Sequence, residues 1–377
     1  MPKTWVEISR DALRLNIVAL SSLLEPGVQM ALVVKANAYG HGLKEIVPLL
    51  WENGVRIFAV DSVEEGREVR TLFSGATIIV IGYTLHQQLA EVIELDLHQV
   101  VYDADTIRLL QEEAAKAGKR VSIHLKIETG TMRQGIWFNE IPVLVEIIHS
   151  CPHVDLVGVS THFANIEEAE DASFAEYQMG QFLQAYEAIK ASGFDPTYVH
   201  TACSAALILY PQTHGTLVRP GVASYGFWPS RETRHMARHL GRRIELEPVL
   251  SWKTKIAQIK EAPMNVPVGY GCTEILRRWS KIAVLPIGYW NGFDRGLSSI
   301  GEVLVRGQHC RVIGRICMNM CMVDVTEVPR VTREDEVVII GRAGKNRMRA
   351  DDIAQRLNTI HYEVTTRINP LIPRIVV

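Results

Sequence analysis

The stretch Val28-Gln-Met-Ala-Leu-Val-Val-Lys35-Ala-Asn-Ala-Tyr39-Gly-His-Gly42 shows the pattern that decides the fold. A short apolar, β-branched run ends at a lysine, and a glycine-rich segment follows it. Such a run, bounded by glycine, predicts a buried strand. Helical periodicity begins directly afterwards, over Leu43–Asn53. Strand is therefore followed by helix, as in a βαβ unit.

The same alternation continues through the first two-thirds of the chain. Helical periodicity recurs between the apolar runs, for example over Glu64–Leu72, Thr106–Gly118 and Phe174–Ser192. Eight strands are predicted, at Val28–Val34, Ile57–Val60, Ile78–Ile81, Gln99–Val101, Val121–Lys126, Leu156–Ser160, Tyr198–His200 and Leu217–Arg219. Eight such units close naturally into a parallel barrel. We therefore predict an α/β fold with an eight-stranded parallel β/α barrel over residues 9–242.

The pattern changes after about Arg243, where strands follow one another without long helices between them. The predicted strands are Val249–Ile259, Lys281–Pro286, Gly301–Val305, Arg311–Val325 and Glu336–Ile340. This order is typical of an antiparallel β domain. We assign it residues 243–377, with residues 1–8 as a candidate addition because the strand-like run Trp5–Ile8 precedes the first helix.

Composition narrows the function classes. The chain has 377 residues, with 40 Lys and Arg against 42 Asp and Glu. Since no basic run with interleaved aromatics occurs, we expect no nucleic-acid partner and a small-molecule partner instead. The start of the chain lacks the apolar core of a signal peptide and no segment could span a bilayer, so we expect no membrane partner and a cytoplasmic location.

The six cysteines are too few and too irregularly spaced for a disulfide framework. Cys317 and Cys321 are the closest pair, and they lack a second metal-ligand pair. We therefore interpret this pair as ordinary buried thiols and expect no metal site.

Polar groups collect where the predicted strands end, which is where barrel enzymes place their active sites. A single lysine such as Lys35 could be a surface cation that caps its strand. However, further candidates follow other strands: Lys126 with Arg133, Thr161-His162, His200 through Ser204, and Arg219-Pro-Gly221. A barrel rim has no structural need for so many cations, so the pattern indicates a binding or catalytic site.

Five motifs, in this order, resemble the alanine racemase family nearly from end to end. They are Val34-Lys35-Ala-Asn-Ala-Tyr39-Gly-His-Gly42, Thr161-His162-Phe163-Ala164, Ser204-Ala-Ala with Arg219-Pro-Gly221, Val268-Gly-Tyr270-Gly271, and Leu285-Pro-Ile-Gly-Tyr289 with Cys317-Met318. The resemblance implies an isomerase that interconverts L- and D-alanine with pyridoxal 5'-phosphate. It also implies D-alanine production for peptidoglycan precursors, while a catabolic role stays open.

The resemblance implies a two-base proton transfer. Lys35 would carry the cofactor as an aldimine and then act as a base on one face of the substrate, while Tyr270 would act on the other face. Electron withdrawal into the cofactor makes removal of the Cα proton feasible. His162 would link Tyr270 to Arg219, which would face the cofactor nitrogen and leave it unprotonated, because the guanidinium pKa lies above about 12.

The remaining roles also follow from the resemblance. Cofactor phosphate would be bound by Tyr39, Ser204 and the backbone amides of Gly221 and Val222. Lys126 would orient Arg133 toward the substrate carboxylate. The resemblance implies that Lys126 is carbamylated, and the alternative is that it is a simple interior cation. Met318 would contact the substrate, and the supporting residues are His200, Tyr289 and Asn319. A head-to-tail homodimer would let each site borrow Tyr270 from its partner.

Three positions depart from the family pattern: Asn319 replaces a frequent aspartate, Pro370 replaces an aromatic residue of some relatives, and Trp290 enlarges the side chain after Tyr289. These departures bear on the substrate, so the alternative is a serine or broad-specificity racemase of the same family.

A decarboxylase is disfavoured because its Glu-Pro-Gly-Arg motif is not found in the sequence. A single-barrel cofactor carrier would lack the region after Arg243, and a purely structural barrel would leave the strand-end cations without a purpose.

Overall fold

The computed structural model describes residues 2–168 and 171–377. Contacts divide the chain into two compact units. Among the described residues, the barrel unit comprises 11–36, 46–168 and 171–247, and the β unit comprises 2–10, 37–45 and 248–377. Strands are numbered β1 to β20 and α-helices α1 to α12 in chain order. Within the described ranges, every helix is too short or too polar to cross a bilayer.

The barrel unit is built on eight parallel strands. They are β2 (Gln29–Val33), β3 (Ile57–Val60), β4 (Thr77–Val80), β5 (His98–Val101), β6 (Val121–Lys126), β7 (Val154–Ser160), β8 (Tyr198–His200) and β9 (Leu217–Val218). Their order in the sheet is β8-β7-β6-β5-β4-β3-β2-β9. The amide of Thr216 donates to Val199 O (3.0 Å), and that of Arg219 donates to Ala202 O (2.8 Å), which joins the two ends of the sheet. The predicted parallel barrel is confirmed.

Helices alternate with these strands. They are α1 (Arg10–Ser21), α2 (Lys35–Tyr39), α3 (Leu43–Glu52), α4 (Val63–Leu72), α5 (Leu89–Glu94), α6 (Ala104–Ala117), α7 (Ile141–His149), α8 (Ser173–Ala191), α9 (Ser204–Leu209) and α10 (Arg231–His239). Side chains fix some starts: Ser62 accepts from the Glu65 amide, and Asp103 accepts from the Thr106 amide. Such caps satisfy amides that lack a partner within the helix.

The β unit contains three sheets. The largest has the order β16-β15-β18-β10-β1-β20, with β19 added on β18. Its strands are β1 (Thr4–Ile8), β10 (Leu250–Lys255), β15 (Glu302–Val305), β16 (Gln308–Arg311), β18 (Glu336–Ala343), β19 (Asn346–Met348) and β20 (Arg374–Val376). The smaller sheets are β11 (Gln258–Ala262) with β14 (Ser280–Leu285) and β17 (Cys321–Asp324), and β12 (Pro267–Val268) with β13 (Glu274–Ile275). All pairings are antiparallel except that of β1 with β20, so the predicted antiparallel character is confirmed.

Large buried aromatics form part of the core of the β unit. Trp5 on β1 and Trp252 on β10 are both almost fully buried. The ring of Phe293 meets Trp252 edge to face, with centroids 6.2 Å apart. Two short helices, α11 (Ala350–Leu357) and α12 (His361–Thr366), lie between β19 and β20.

Two strand predictions in this unit are wrong. The run Val249–Ile259 is two strands of different sheets, because the chain leaves the large sheet at buried Ile256, whose amide donates to Asp335 O (3.1 Å). The run Arg311–Val325 is not one strand either, because Gly314 has a φ of +70° and a loop follows before β17. Apolar content continues across both breaks, so periodicity alone did not reveal them. The predicted domain boundaries at 9–242 and 243–377 stay a prediction.

Candidate active site

Lys35 lies at the carboxyl end of β2, on the barrel rim. Its Nζ donates to Asp61 Oδ1 at 2.8 Å, and Asp61 directly follows β3. Glu65 fixes this corner, because its carboxylate accepts from the amides of Ala36 (2.7 Å) and Asp61 (2.8 Å). The amine is thus held on the rim by a carboxylate that belongs to the neighbouring strand end.

The segment after Lys35, α2, is a left-handed helical turn and not a right-handed α-helix, and it replaces the glycine-rich loop expected from the sequence. Residues 36–39 all have φ between 52° and 55°. Each non-glycine residue in this conformation costs about 1–2 kcal/mol. Asn37 offsets part of that cost, since its Oδ1 accepts from the Leu43 amide (2.8 Å) and its carbonyl accepts from the Gly42 amide (3.0 Å). Sustained strain of this kind is concentrated at functional sites.

Arg219 is only 8% exposed, and both of its terminal nitrogens donate hydrogen bonds. Its Nη1 donates to His200 Nδ1 (2.6 Å) and to His200 O (2.5 Å). Its Nη2 donates to Thr161 O (2.8 Å) and lies 3.5 Å from His162 Nδ1. Burial, with a smaller contribution from Arg133, lowers the pKa of Arg219 to about 10. The guanidinium therefore stays charged at neutral pH.

The two histidines beside Arg219 are neutral. Burial, followed by the charge of Arg219, lowers the pKa of both His162 and His200 well below the ordinary value. Each imidazole can therefore both donate and accept a hydrogen bond at physiological pH. His162 directly follows Thr161, whose carbonyl accepts from Arg219, and its role as a link between Arg219 and Tyr270 stays a prediction.

Lys126 and Arg133 lie at the end of β6 and in the loop that follows it. Burial, followed by the charges of Arg219 and Arg133, lowers the pKa of Lys126 to about 8. Glu128 shapes the loop by accepting from the amides of Gly130 (2.6 Å) and Arg133 (3.2 Å). Lys126 Nζ itself is 3.5 Å from Gln134 Oε1.

Ser204, Gly221 and Val222 come together on the barrel unit. Ser204 opens α9, and its Oγ accepts from the amides of Gly221 (3.0 Å) and Ala223 (3.3 Å). The hydroxyl of Tyr225 donates to Val33 O (2.9 Å), which ties this segment to the strand that carries Lys35. The structure thereby gathers backbone amides and a hydroxyl at the end of the barrel that bears the cations.

The other predicted site residues belong to the β unit. Tyr270 is 72% exposed and stands between Gly269 and Gly271, whose φ values are +73° and +74°. A Cβ at Gly271 would come within 2.8 Å of Arg315 Nη1, and one at Gly269 within 2.9 Å of Met322 Cε. Glycine is required on both sides, so the backbone fixes how the phenol is presented.

Tyr289 lies against the Cys317–Met318 segment of the β unit, and Asn319 follows that segment in sequence. The amide of Tyr289 donates to Cys317 O (3.1 Å), and that of Trp290 donates to Met318 O (2.9 Å). A Cβ at Gly288 would overlap Cys317 O, which explains the glycine before Tyr289. Met318 and Trp290 are 57% and 58% exposed. Tyr39 also belongs to this unit, where its ring lies 6.0 Å from that of Tyr362.

Sequence reasoning missed several residues that the structure connects to the site. Asp61 and Glu65 pair with Lys35 and its neighbour, and His124 donates to or accepts from His98 and His200. Asp61 follows a predicted strand directly, and His124 lies two residues before Lys126 on the same strand face, so both signals were present in the sequence. His98 gave no such signal, because the predicted strand began one residue later.

An eight-stranded α/β barrel carrying a rim lysine and buried cations, joined in sequence to an antiparallel β unit, defines the class of the protein. Residues 8–229 match the family model of the alanine racemase N-terminal domain, and residues 249–376 match that of the C-terminal domain. The chain belongs to the alanine racemase family.

Curated relatives match along their whole length. The chain is 38% identical over 373 residues to alanine racemase 2 of Caldanaerobacter subterraneus, covering 99% of this chain and 94% of the relative. It is 35% identical over 372 residues to the alanine racemase of Methanococcus maripaludis, covering 98% of each.

Solved structures agree with this assignment. Alanine racemase of Bacillus anthracis with bound L-Ala-P superposes with a TM-score of 0.93 at 31% identity, covering 100% of this chain and 95% of the other. Alanine racemase of Bartonella henselae with covalently bound pyridoxal phosphate gives a TM-score of 0.87 at 26% identity, covering 100% of both chains.

Proposed function

We propose that this protein is an alanine racemase that uses pyridoxal 5'-phosphate bound on the barrel through Lys35. The observation that carries the proposal is the rim lysine beside a set of buried, hydrogen-bonded cations in a chain that matches alanine racemases throughout. The donor set fits the group: an accessible amine, a hydroxyl with backbone amides, and a fixed guanidinium. When bound, the cofactor supplies an electron sink for negative charge at the substrate Cα.

Each residue would act at a defined atom. Lys35 would bind the cofactor covalently and move the Cα proton on one face, and the Tyr270 hydroxyl would move it on the other. Ser204 and the amides of Gly221 and Val222 would bind the phosphate, with Tyr39 as a further donor. Arg219 would face the ring nitrogen and leave it without a proton, because a guanidinium holds its own proton at neutral pH.

Substrate carboxylate recognition is proposed for Arg133, with Met318 beside the substrate and His162, His200, Tyr289 and Asn319 as supporting residues. The lowered pKa of Lys126 supports carbamylation, because more of the amine is neutral and only a neutral amine reacts with carbon dioxide. Its nitrogen would bond to the carbon and release a proton, which converts a buried cation into an anion. That anion would pair with Arg133.

A head-to-tail homodimer is proposed as the working assembly. Tyr270, Met318 and Trp290 are large side chains that stay more than half exposed on the β unit. Exposed aromatic and methionine side chains are typical of interface cores. Each site would borrow Tyr270 from the partner subunit. The cytoplasmic location stays a prediction, and cell fractionation would test it.

The function is tested by a chiral assay of the purified holoenzyme on a panel of L-amino acids. L-alanine should reach an equal mixture of enantiomers fastest, and D-alanine assayed in the same way should reach the same mixture. Racemisation of serine at a higher kcat/KM would contradict the assignment of alanine, and the absence of any racemisation would contradict the reaction. The serine-preferring alternative is not favoured by the relatives, which are named alanine racemases.

A further inference from the structure

Three imidazoles and the guanidinium of Arg219 form a hydrogen-bonded line inside the barrel. His98 Nδ1 lies 3.0 Å from His124 Nε2. His124 Nδ1 lies 2.8 Å from His200 Nε2, and His200 Nδ1 lies 2.6 Å from Arg219 Nη1. His124 and His200 are fully buried, while His98 is partly exposed. The line therefore runs from a partly solvent-exposed residue to a buried cation.

Strand register shows that the three histidines lie at successive levels along the barrel axis. His124 is level with Val100 on β5, so His98 lies one interior layer closer to the amino end of the strands. His200 is level with Ser160, two residues beyond Gly158, the partner of His124. The three imidazoles thus belong to three successive layers, and the last one lies at the end that carries the candidate site.

The barrel makes room for this line at a specific position. Gly158 faces His124, and a Cβ there would overlap the imidazole at Nδ1. The register between β6 and β7 shifts between Ile123 and His124, which adjusts the direction of the side chain. The Tyr198 ring stacks on His124, with centroids 5.6 Å apart. Glycine, bulge and stacked ring together hold the central imidazole in place.

The direction of every hydrogen bond follows from Arg219. A guanidinium can only donate, so His200 Nδ1 must accept and its proton must lie on Nε2. That Nε2–H donates to His124 Nδ1, so the proton of His124 also lies on Nε2 and donates to His98 Nδ1. All three residues are therefore neutral, in the same tautomer, because a protonated imidazole has no acceptor nitrogen.

Burial opposes protonation along the whole line. It lowers the pKa of His98 to about 4, with nearby Asp96 raising it and Arg70 lowering it by smaller amounts. Burial also lowers the pKa of His124 well below the ordinary value, and the facing His98 and Arg219 lower it further. The arrangement of neutral tautomers is thus compatible with physiological pH.

We propose that His98, His124 and His200 are positioning residues that hold the Arg219 guanidinium charged and in one orientation. The inference rests on the proposed function in one respect, namely that Arg219 acts on the cofactor. Three N–H dipoles point away from Arg219, so their acceptor ends face the cation and stabilise it. This compensates part of the cost of burying the guanidinium. A rotated or wrongly paired guanidinium would lose that support.

The tautomers can be read directly by nitrogen NMR on holoenzyme labelled with ring-¹⁵N histidine. Three imidazoles should show a protonated Nε2 and an unprotonated Nδ1, unchanged between about pH 6 and pH 8. Assignment uses single replacements of the three residues. A proton on Nδ1 of any of the three, or titration of His124 or His200 in this range, would overturn the proposal. The measurement does not depend on what reaction the protein catalyses.

Variants of His98 test the effect on Arg219 at a distance. His98→Leu leaves the buried His124 Nε2–H without an acceptor, so kcat for alanine should fall about tenfold while KM stays within about twofold. His98→Asn offers an amide oxygen in place of Nδ1 and should restore most of kcat and the Nε2–H tautomer of His124.

His214→Gln is the matched control, because His214 is a buried imidazole of the barrel unit that bonds to Leu207 O (3.0 Å) outside the line. It should leave kcat within about twofold even if the melting temperature falls. Equal loss of kcat in His98→Leu and His98→Asn, or no loss in His98→Leu, would contradict the inference. Absence of racemisation by the unmodified protein would instead contradict the proposed function.

Discussion

The two units present their functional groups in opposite ways. On the barrel unit, Arg219 is 8% exposed and donates to the carbonyl oxygens of one histidine and two threonines. Lys126 is also only 8% exposed. On the β unit, Tyr270 is 72% exposed and Met318 is 57% exposed. One set of groups is already paired within the chain, whereas the other set lies on an outer surface.

This difference separates two physical requirements. A buried charge needs its partners as soon as the chain folds, since an unpaired buried ion is strongly destabilising. An exposed phenol needs no partner within its own chain when that chain folds, and another surface can cover it later. The barrel unit should therefore couple function to stability, and Tyr270 should not.

The largest expected effect is that of Lys35→Ala, which removes the covalent cofactor link and one base. Activity should fall about 10⁴-fold or more. Borohydride reduction of the unmodified holoenzyme, followed by peptide mapping, should place the cofactor on Lys35. Lys44→Ala is the matched control, because Lys44 is an exposed lysine nearby in sequence. Cofactor found on another lysine would contradict this assignment.

Tyr270→Phe should come next. Loss of the hydroxyl should reduce kcat for alanine about 10²- to 10³-fold, while the free energy of unfolding changes by less than about 0.5 kcal/mol because the side chain is exposed. Rate assays and chemical denaturation measure the two quantities. Tyr177→Phe, another exposed tyrosine, controls for the substitution itself. A large loss of stability with unchanged kcat would contradict this prediction, because it would show that Tyr270 contributes to folding and not to catalysis.

Arg219→Lys should act on stability as well as on rate. A lysine keeps the charge but cannot reproduce the forked bonds to His200 and Thr161, so the free energy of unfolding should fall by about 2–4 kcal/mol. Arg120→Lys changes the same residue type in an exposed pair with Asp155 and should lower the free energy of unfolding far less than Arg219→Lys does. Equal costs from denaturation curves would show that burial of Arg219 has no energetic consequence.

A smaller effect is expected from the titration of Lys126. Its pKa is about 8 in the folded chain and 10.5 as the ordinary value, so between these pH values the unfolded chain binds the additional proton. The stability of the unmodified protein relative to Lys126→Met should therefore rise as pH increases from about 8 to 10.5, and stay constant below 8.

Carbon-dioxide-free buffer is required for that experiment, because carbamylation removes the titrating amine. Adding bicarbonate should abolish the rise and produce a carbamate signal in carbon-13 NMR that Lys126→Met lacks. A pH-independent difference in carbon-dioxide-free buffer would mean that burial does not destabilise the protonated form of Lys126.

Regular parts of the barrel could be predicted from sequence because strand and helix periodicity are local properties. The bounds of β3, β6 and β8 agree with the prediction, and β2 differs by one residue at each end. The break at Ile256 could not be seen, because buried residues continue on both sides and only pairing with different sheets separates the strands. Pairing partners far apart in sequence leave no local signal.

Individual site contacts depended in the same way on tertiary structure. Lys35 was identified by its position at a strand end, but its carboxylate partner Asp61 is decided by the neighbouring strand. The left-handed turn over residues 36–39 has no glycine to indicate it. His98 joins the histidine line only because β5 and β6 are adjacent with a particular register.

Mixed dimers test the central contrast between a barrel site complete in one chain and a tyrosine supplied by another. Differently tagged Lys35→Ala and Tyr270→Ala subunits would be co-expressed and the mixed dimer isolated. Each parent should be inactive, and the mixed dimer should recover about half the native rate, since one of its two sites contains both native residues. A verified mixed dimer that stays inactive would contradict the shared site and would mean that Tyr270 acts in the active site of its own subunit.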